Sequence, residues 1–589
     1  MGQLTVTEPQ PEPSESLPAE EAPDNPEAYI ARDRRHALAT RTEMRDRVRG
    51  AALFADISGF TPLTEALANE LGSQRGAEEL TANLGRVFHA VIAELDRFGG
   101  DVIYFSGDAI TCWIDGDDGL RAAAAAFAMQ EAMARVGEIV TPGGTQVRLA
   151  LKVAVACGAA RRFVVGDPEI QLIDVLAGRL IDDLAEAEHH AGKGEVVFDP
   201  SAVAALGKRV VLGEERTDPD NGKTFRVARR LTIKVSEDPA AEPEQLDDEL
   251  VRPWLLPAVY ERLRSGRGEF LAELRPAYPL FLRFGGIDYD DDDDAIAKLD
   301  DFVRRAQRIM AGYGGNVLQL TLGDKGAYLY GVFGSPVAHE DDAARASAAA
   351  LELRDLERTT EAREIQIGVT HGRLRSGTYG HAMRRTFVCL GDAVNLAARL
   401  MSAAPSGRIY VSDDVREAAG NAFIWERLPE LTVKGKSAVI VAHALTGSLE
   451  RASRRRIRYE LPLVGRRAEL GTLDEALESA IGGEGRIVAI AAEAGMGKSR
   501  LVAEFVRSAR RRGLFVAFGE CQSFGTNSSY FVWREVWRRL LRLDDSDDPA
   551  RQRVHIEEEL RSLEQANMQE AADRFIAALQ TDLILPEDF

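Results

Sequence analysis

Residues 98–114 read FGGDVIYFSGDAITCWI, and residues 313–333 read YGGNVLQLTLGDKGAYLYGVF. Each stretch leaves a Gly-Gly pair, runs through β-branched and aromatic residues, turns at Gly-Asp and returns through a second such run. That is the pattern of a hairpin. The pairs Gly99-Gly100 and Gly314-Gly315 read as helix C-caps, because glycine takes the left-handed conformation that ends a helix without a Cβ penalty.

Working outward, the similarity continues. LAGRLIDDLAEAEHHAGKGEVVFDPSA (176–202) resembles CLGDAVNLAARLMSAAPSGRIYVSDDV (389–415), each a helix followed by a strand. An internal repeat on this scale implies a duplicated domain. In both copies the order is strand, long helix, hairpin, helix, strand, helix, strand, an α+β pattern of the split βαβ kind with helices over an antiparallel sheet.

Composition shifts set the boundaries. Residues 1–27 form an acidic, proline-rich tail read as disordered, 28–48 a helical bridge, 49–235 the first copy, 236–249 an acidic linker, 250–448 the second copy, 449–460 a basic linker and 461–589 a third block. A net charge of −21 argues against nucleic acid as a partner of the whole chain. The four cysteines form no CxxC pair, and no apolar run is long enough to cross a membrane. A cytoplasmic protein is expected. The run YDDDDD (289–294) reads as a solvated loop before a helix, and RASRRRIR (451–458) as a solvated connector.

Asp56 ends the apolar run of LFADISGFT (53–61), and Asp108 lies in the first hairpin's turn. If their strands are neighbours, both carboxylates reach one point. At a separation of ~4 Å they repel by roughly 4 kcal/mol at an effective dielectric of 20. A divalent cation removes that repulsion, and an all-oxygen pair suits Mg²⁺ or Mn²⁺.

FADISGFT followed by FSGDA resembles the paired metal-binding motifs of class III nucleotidyl cyclases. The tandem copies with a third NTPase block resemble the soluble adenylyl cyclase type over residues 49–448 and beyond. The resemblance implies two ferredoxin-like cyclase domains in a pseudo-symmetric pair, with one composite site between them. There ATP would become 3′,5′-cyclic AMP and pyrophosphate with two metal ions, held by Asp56, Asp108 and the Ile57 carbonyl. It further implies that Asn395 orients the ribose, Arg399 stabilises charge on the attacked phosphate and Lys325 contacts adenine. Lys152 would neutralise the outer phosphates, with Lys434 or Lys436 adding charge. Val388 stands where the family has a Thr or Asp that reads adenine, so purine selectivity is either loosened or left to backbone groups. The mate of this site reads as dead: Arg283 replaces a metal carboxylate, and Asp182 and Glu186 replace the Asn-Arg pair. The soluble type senses bicarbonate at the dead site through a lysine and an arginine; here those positions are Tyr104 and Ala185, so the resemblance does not carry that response over.

IVAIAAEAGMGKSRLVAEF (487–505) reads as strand, loop and helix. It matches the phosphate-binding loop at Gly495, Gly497, Lys498 and Ser499, with Ala492 in place of the first glycine. No hydrophobic strand ending in an acidic pair follows, so this α/β P-loop NTPase domain is expected to be incomplete, to bind nucleotide without hydrolysing it, and to receive protein regulators. The competing reading is a non-catalytic regulator whose degenerate cyclase domains sense nucleotide and whose P-loop module switches.

Overall fold

The computed structural model describes residues 25–239, 245–265, 273–323, 326–339, 341–429, 440–448, 465–491 and 498–517, with isolated positions at 533, 536–537 and 540. The chain divides into two units, residues 1–337 with 352–410, and residues 338–351 with 411–589.

The first unit opens with a 3-10 turn, Pro26–Tyr29, and helix α1 (Arg32–Thr40). The helix expected over 28–48 stops early, at Arg41 in a left-handed conformation, and strand β1 (Arg47–Ser58) begins soon after. Pairing explains the difference. Strand β6 (Ala150–Val165) takes β1 along its whole length, from Arg47 opposite Arg161 to Ser58 opposite Ala150. Between them come α2 (Phe60–Arg97), kinked at Gly72, the hairpin β2 (Asp101–Ser106) and β3 (Ala109–Asp115), α3 (Leu120–Val136), and a small ribbon of β4 (Glu138–Val140) and β5 (Gln146–Arg148). Gly99 has a φ of 70°, as a helix-ending glycine should. After β6 follow β7 (Ile173–Ala177), α4 (Arg179–His189), β8 (Val196–Phe198), α5 (Pro200–Leu206), β9 (Val210–Thr217) and β10 (Thr224–Leu231). The sheet order is β2-β3-β1-β6-β8-β10-β9.

The connector carries α6 (Asp248–Val251) and α7 (Pro257–Arg264). The second copy runs β11 (Glu273–Gly285), α8 (Ala295–Gly312), β12 (Asn316–Thr321), β13 (Ala327–Phe333), α9 (Asp342–Asp355), β14 (Arg363–Val369), β15 (Gly372–His381), β16 (Arg384–Leu390), α10 (Asp392–Ala403) and β17 (Ile409–Ser412). Its sheet order, β12-β13-β11-β14-β17, repeats β2-β3-β1-β6-β8 strand for strand. The fold class is α+β, and the duplication read from sequence is present in the topology.

Within this unit the two copies are interlocked. Tyr379 and Val388 of the β15–β16 hairpin are buried in a core shared with Leu63, Leu84 and Phe88 of α2. Arg384 donates to the carbonyls of Val102 and Ile103 at 2.8 Å each, and Gln319 Nε2 reaches Ser106 Oγ at 2.9 Å. The acidic loop before α8 is solvated, as expected, with Asp291, Asp293 and Asp294 exposed, and it is also contacted from the first copy. Arg47 pairs with Asp293 at 2.8 Å, and Arg161 donates to the carbonyls of Tyr289 and Asp292. Helix α1 is tethered by buried charge: Arg162 bridges Asp33 and Asp174, and Arg34 joins Asp174 at 2.9 Å. The two guanidiniums hold the Asp174 carboxyl well below the usual carboxylate range despite its burial.

The second unit contains α11 (Asp413–Ala419), the antiparallel pair β18 (Phe423–Arg427) and β19 (Ala442–Ser448), α12 (Arg467–Ile481) and α13 (Lys498–Arg511). The strand expected at 487–491 does not form: Ile487 is 101% exposed and Val488 45% exposed. A strand needs a partner ladder, and none meets this run among the described residues.

Candidate nucleotide and metal site

The antiparallel register places the candidate carboxylates. Asp56 lies opposite Ala109 of β3 and opposite Lys152 of β6, so Asp56 and Lys152 project from the same face. Asp108 sits in the turn that precedes Ala109. The Ile57 amide donates to the Asp108 carbonyl at 3.2 Å, which ties the end of β1 to that turn. Lys152 Nζ stands 3.8 Å from Asp56 Oδ2 and 3.2 Å from Glu188 Oε1, on the last turn of α4.

These groups perturb one another. Burial first, then the charge of Asp56, pushes the Asp108 carboxyl up to about 7. Burial also raises Asp56, with Glu188 raising it further and Lys152 pulling it down. Asp108 has no ion-pair partner among the described residues. Two half-hidden carboxylates that destabilise each other's charge, with one ammonium 3.8 Å from one of them, form a site that a cation would relieve. Hard oxygen donors fit Mg²⁺ or Mn²⁺. Among the described residues no group of three or more His, Cys, Asp or Glu is arranged so that it could by itself hold a metal ion. The remaining positions would fall to the Ile57 carbonyl, water and phosphate oxygens.

In the second copy, Arg283 lies opposite Gln366 of β14 in the register that Asp56 holds opposite Lys152, and its guanidinium approaches Gln366 Oε1 at 3.5 Å. Glu186 is bound to Lys223 at 2.6 Å. Tyr104 is half-buried; desolvation raises its hydroxyl above the usual range although Thr111 pulls it down, and it lines a cavity of about 90 Å³ with Tyr29, Gln171, Trp254, Gln319 and Arg384.

Asn395 and Arg399 lie one turn apart on α10, exposed and half-buried respectively. No hydrogen bond or ion pair among the described residues joins them to Asp56 or Asp108. Helix α10 is seated unusually close to β14, because Gly368 has no side chain: a Cβ there would lie 2.2 Å from the Ala397 carbonyl oxygen. Val388 is 6% exposed and packs in the core between the copies. Lys325, Lys434, Lys436, Gly495 and Gly497 fall outside the described residues. Lys498 and Ser499 are the first two residues of α13. The sequence reading missed Glu188, which looks like an ordinary charge on an amphipathic helix; only the packing of α4 against β6 brings it to Lys152.

Residues 294–447 match the family described as the adenylate and guanylate cyclase catalytic domain, and residues 462–587 match the AAA ATPase domain. The chain is 24% identical over 417 residues to adenylate cyclase type 10 of Homo sapiens, an alignment covering 66% of this chain and 26% of that protein. It is 31% identical over 172 residues to the aggregation-specific adenylate cyclase of Dictyostelium discoideum, covering 28% of this chain and 12% of that protein. The chain thus spans about a quarter of the length of the type 10 relatives it matches. Among solved structures, a class III adenylyl cyclase-like ATP-binding protein from Pseudomonas aeruginosa aligns at 14% identity and a TM-score of 0.44, over 64% of this chain and 86% of that one. The guanylate cyclase domain of RhGC from Catenaria anguillulae aligns at 24% identity and a TM-score of 0.27, over 29% and 97%.

Proposed function

We propose that this chain, a class III nucleotidyl cyclase followed by a P-loop domain, is an adenylyl cyclase that converts ATP to 3′,5′-cyclic AMP and pyrophosphate at one composite site. The observation that carries the proposal is the facing pair Asp56 and Asp108, with Lys152 beside them, at the end of β1. These carboxylates and the Ile57 carbonyl would hold the divalent cations. Metal ions bound there would lower the pKa of the ribose 3′-hydroxyl and offset the charge of the triphosphate. Lys152 draws the outer phosphates towards β6. From the second copy, Lys325 contacts adenine, Asn395 fixes the ribose, and the Arg399 guanidinium meets charge building on the α-phosphate. Catalysis is then positioning and charge neutralisation, with no side-chain nucleophile. Arg283 in the Asp56 register of the second copy supports a single working site. The domain boundaries read from composition are part of this proposal, as is regulation through residues 461–589.

Purified protein with Mn²⁺ and ATP is expected to release cyclic AMP and pyrophosphate in equal amounts, and Asp56→Ala and Arg399→Ala are each expected to abolish it. Turnover that survives either change rejects the site. Nucleotide binding without any product from ATP or GTP selects the non-catalytic sensor instead.

A further inference from the structure

The ammonium of Lys152 has two claimants. It lies 3.8 Å from Asp56 Oδ2 and 3.2 Å from Glu188 Oε1, and all three side chains are mostly shielded, at 28%, 24% and 17% exposure. One cation therefore serves two carboxylates on different elements, a strand that carries the metal site and a helix that does not. We infer that Glu188 is a positioning residue that holds Lys152 off Asp56 until nucleotide arrives. The inference rests on the reading of Asp56 and Asp108 as the metal site.

The consequences for metal and for nucleotide have opposite signs. Without Glu188, Lys152 has Asp56 as its nearest anion and competes with an incoming cation for it, and one negative charge that attracts the cation is gone. Metal affinity falls. A bare nucleotide, in contrast, meets one carboxylate fewer beside the ammonium that should greet its phosphates, so its affinity rises. Loss of packing cannot produce such opposed changes, because it weakens both.

The full chain is tested by Mn²⁺ titration followed by electron paramagnetic resonance without nucleotide. The site of interest is the Mn²⁺ bound by the wild type and lost in Asp56→Asn. Glu188→Gln is expected to weaken that site roughly three- to tenfold, the scale of one unit charge at short range in a partly shielded site. It is also expected to tighten binding of a fluorescent ATP analogue in EDTA. Glu188→Asp, which keeps the charge, should restore most of the Mn²⁺ affinity. Glu186→Gln, on the same helix but paired with Lys223, should match the wild type. If the Asp56-dependent site exists and Glu188→Gln leaves it unchanged, or weakens metal and bare nucleotide alike, the positioning role is wrong and the cyclase reading stands. If no Mn²⁺ depends on Asp56, the metal-site reading fails and takes this inference with it.

Discussion

Replacing Arg384 by methionine measures how firmly the two copies are locked. The residue is half-buried, and among the described residues its guanidinium forms no ion pair with a carboxylate. Its Nε donates to the Val102 carbonyl at 2.8 Å, one terminal nitrogen to Ile103 at 2.8 Å, and the other to Tyr29 at 2.8 Å and Arg385 at 2.7 Å. Those β2 carbonyls are available because the β2–β3 ladder has a bulge between Val102 and Tyr104. Burial with no anionic partner in contact pulls the Arg384 pKa down to about 10, and Phe105 lies 5.6 Å from the guanidinium carbon. Methionine fills the stem but strands three carbonyls on other elements, at about 1–3 kcal/mol each. Relief from burying an unpaired cation offsets part of this, leaving a loss of about 2–4 kcal/mol. Hydrogen exchange read by mass spectrometry on peptides spanning 372–390 reports this opening directly. At about 1.4 kcal/mol per decade, exchange should quicken roughly thirty- to several-hundredfold. Exchange of those peptides at the wild-type rate would refute the claim that Arg384 locks the hairpin to β2.

Three other outcomes follow from the same geometry. Gly368→Ala puts a Cβ 2.2 Å from the Ala397 carbonyl oxygen and 2.4 Å from the Met401 nitrogen, so α10 must shift. Because that helix carries Asn395 and Arg399, turnover should fall more than about tenfold while Mn²⁺ binding at Asp56 is retained. Burial, then the nearby His89, pulls His381 down from 6.5 to about 4, and their rings stand 4.4 Å apart where α2 meets β15. The folded form therefore resists protonation. Its contribution is complete above the unfolded value of 6.5 and is lost as pH falls towards 4, so thermal melts should drop through that window and His381→Phe should flatten the drop. Asp174→Ala leaves the buried guanidiniums of Arg34 and Arg162 without a shared anion, and should cost about 3–5 kcal/mol in unfolding experiments.

The parts of this protein legible in its sequence are those written in local chemistry. The Gly-Asp turns flanked by β-rich runs announced the hairpins, their recurrence announced the duplicated sheet, and the i, i+4 spacing placed Asn395 and Arg399 on one face of a helix. What depends on which element packs against which was not legible. Glu188 reads as a surface charge until α4 is laid on β6. Arg384 carries no signal of its own in the sequence, and only the insertion of the β15–β16 hairpin against β2 gives it a role. The run at 289–294 is as solvated as it reads, but that Arg47 and Arg161 would contact it was not legible from the run itself. The apolar run at 487–491 carried a strand signal, but hydrophobicity proposes a strand and only a neighbouring ladder makes one.

The central claim is that residues of the first copy and residues of the second grip the same nucleotide. It is tested most directly by photolabelling the full chain with 8-azido-ATP and Mn²⁺ and mapping the modified peptides. Label is expected on second-copy peptides within 318–331 or 384–399, and Asp56→Ala, in the first copy, should remove it. Label confined to the first copy, or second-copy label indifferent to Asp56→Ala, would contradict a shared site.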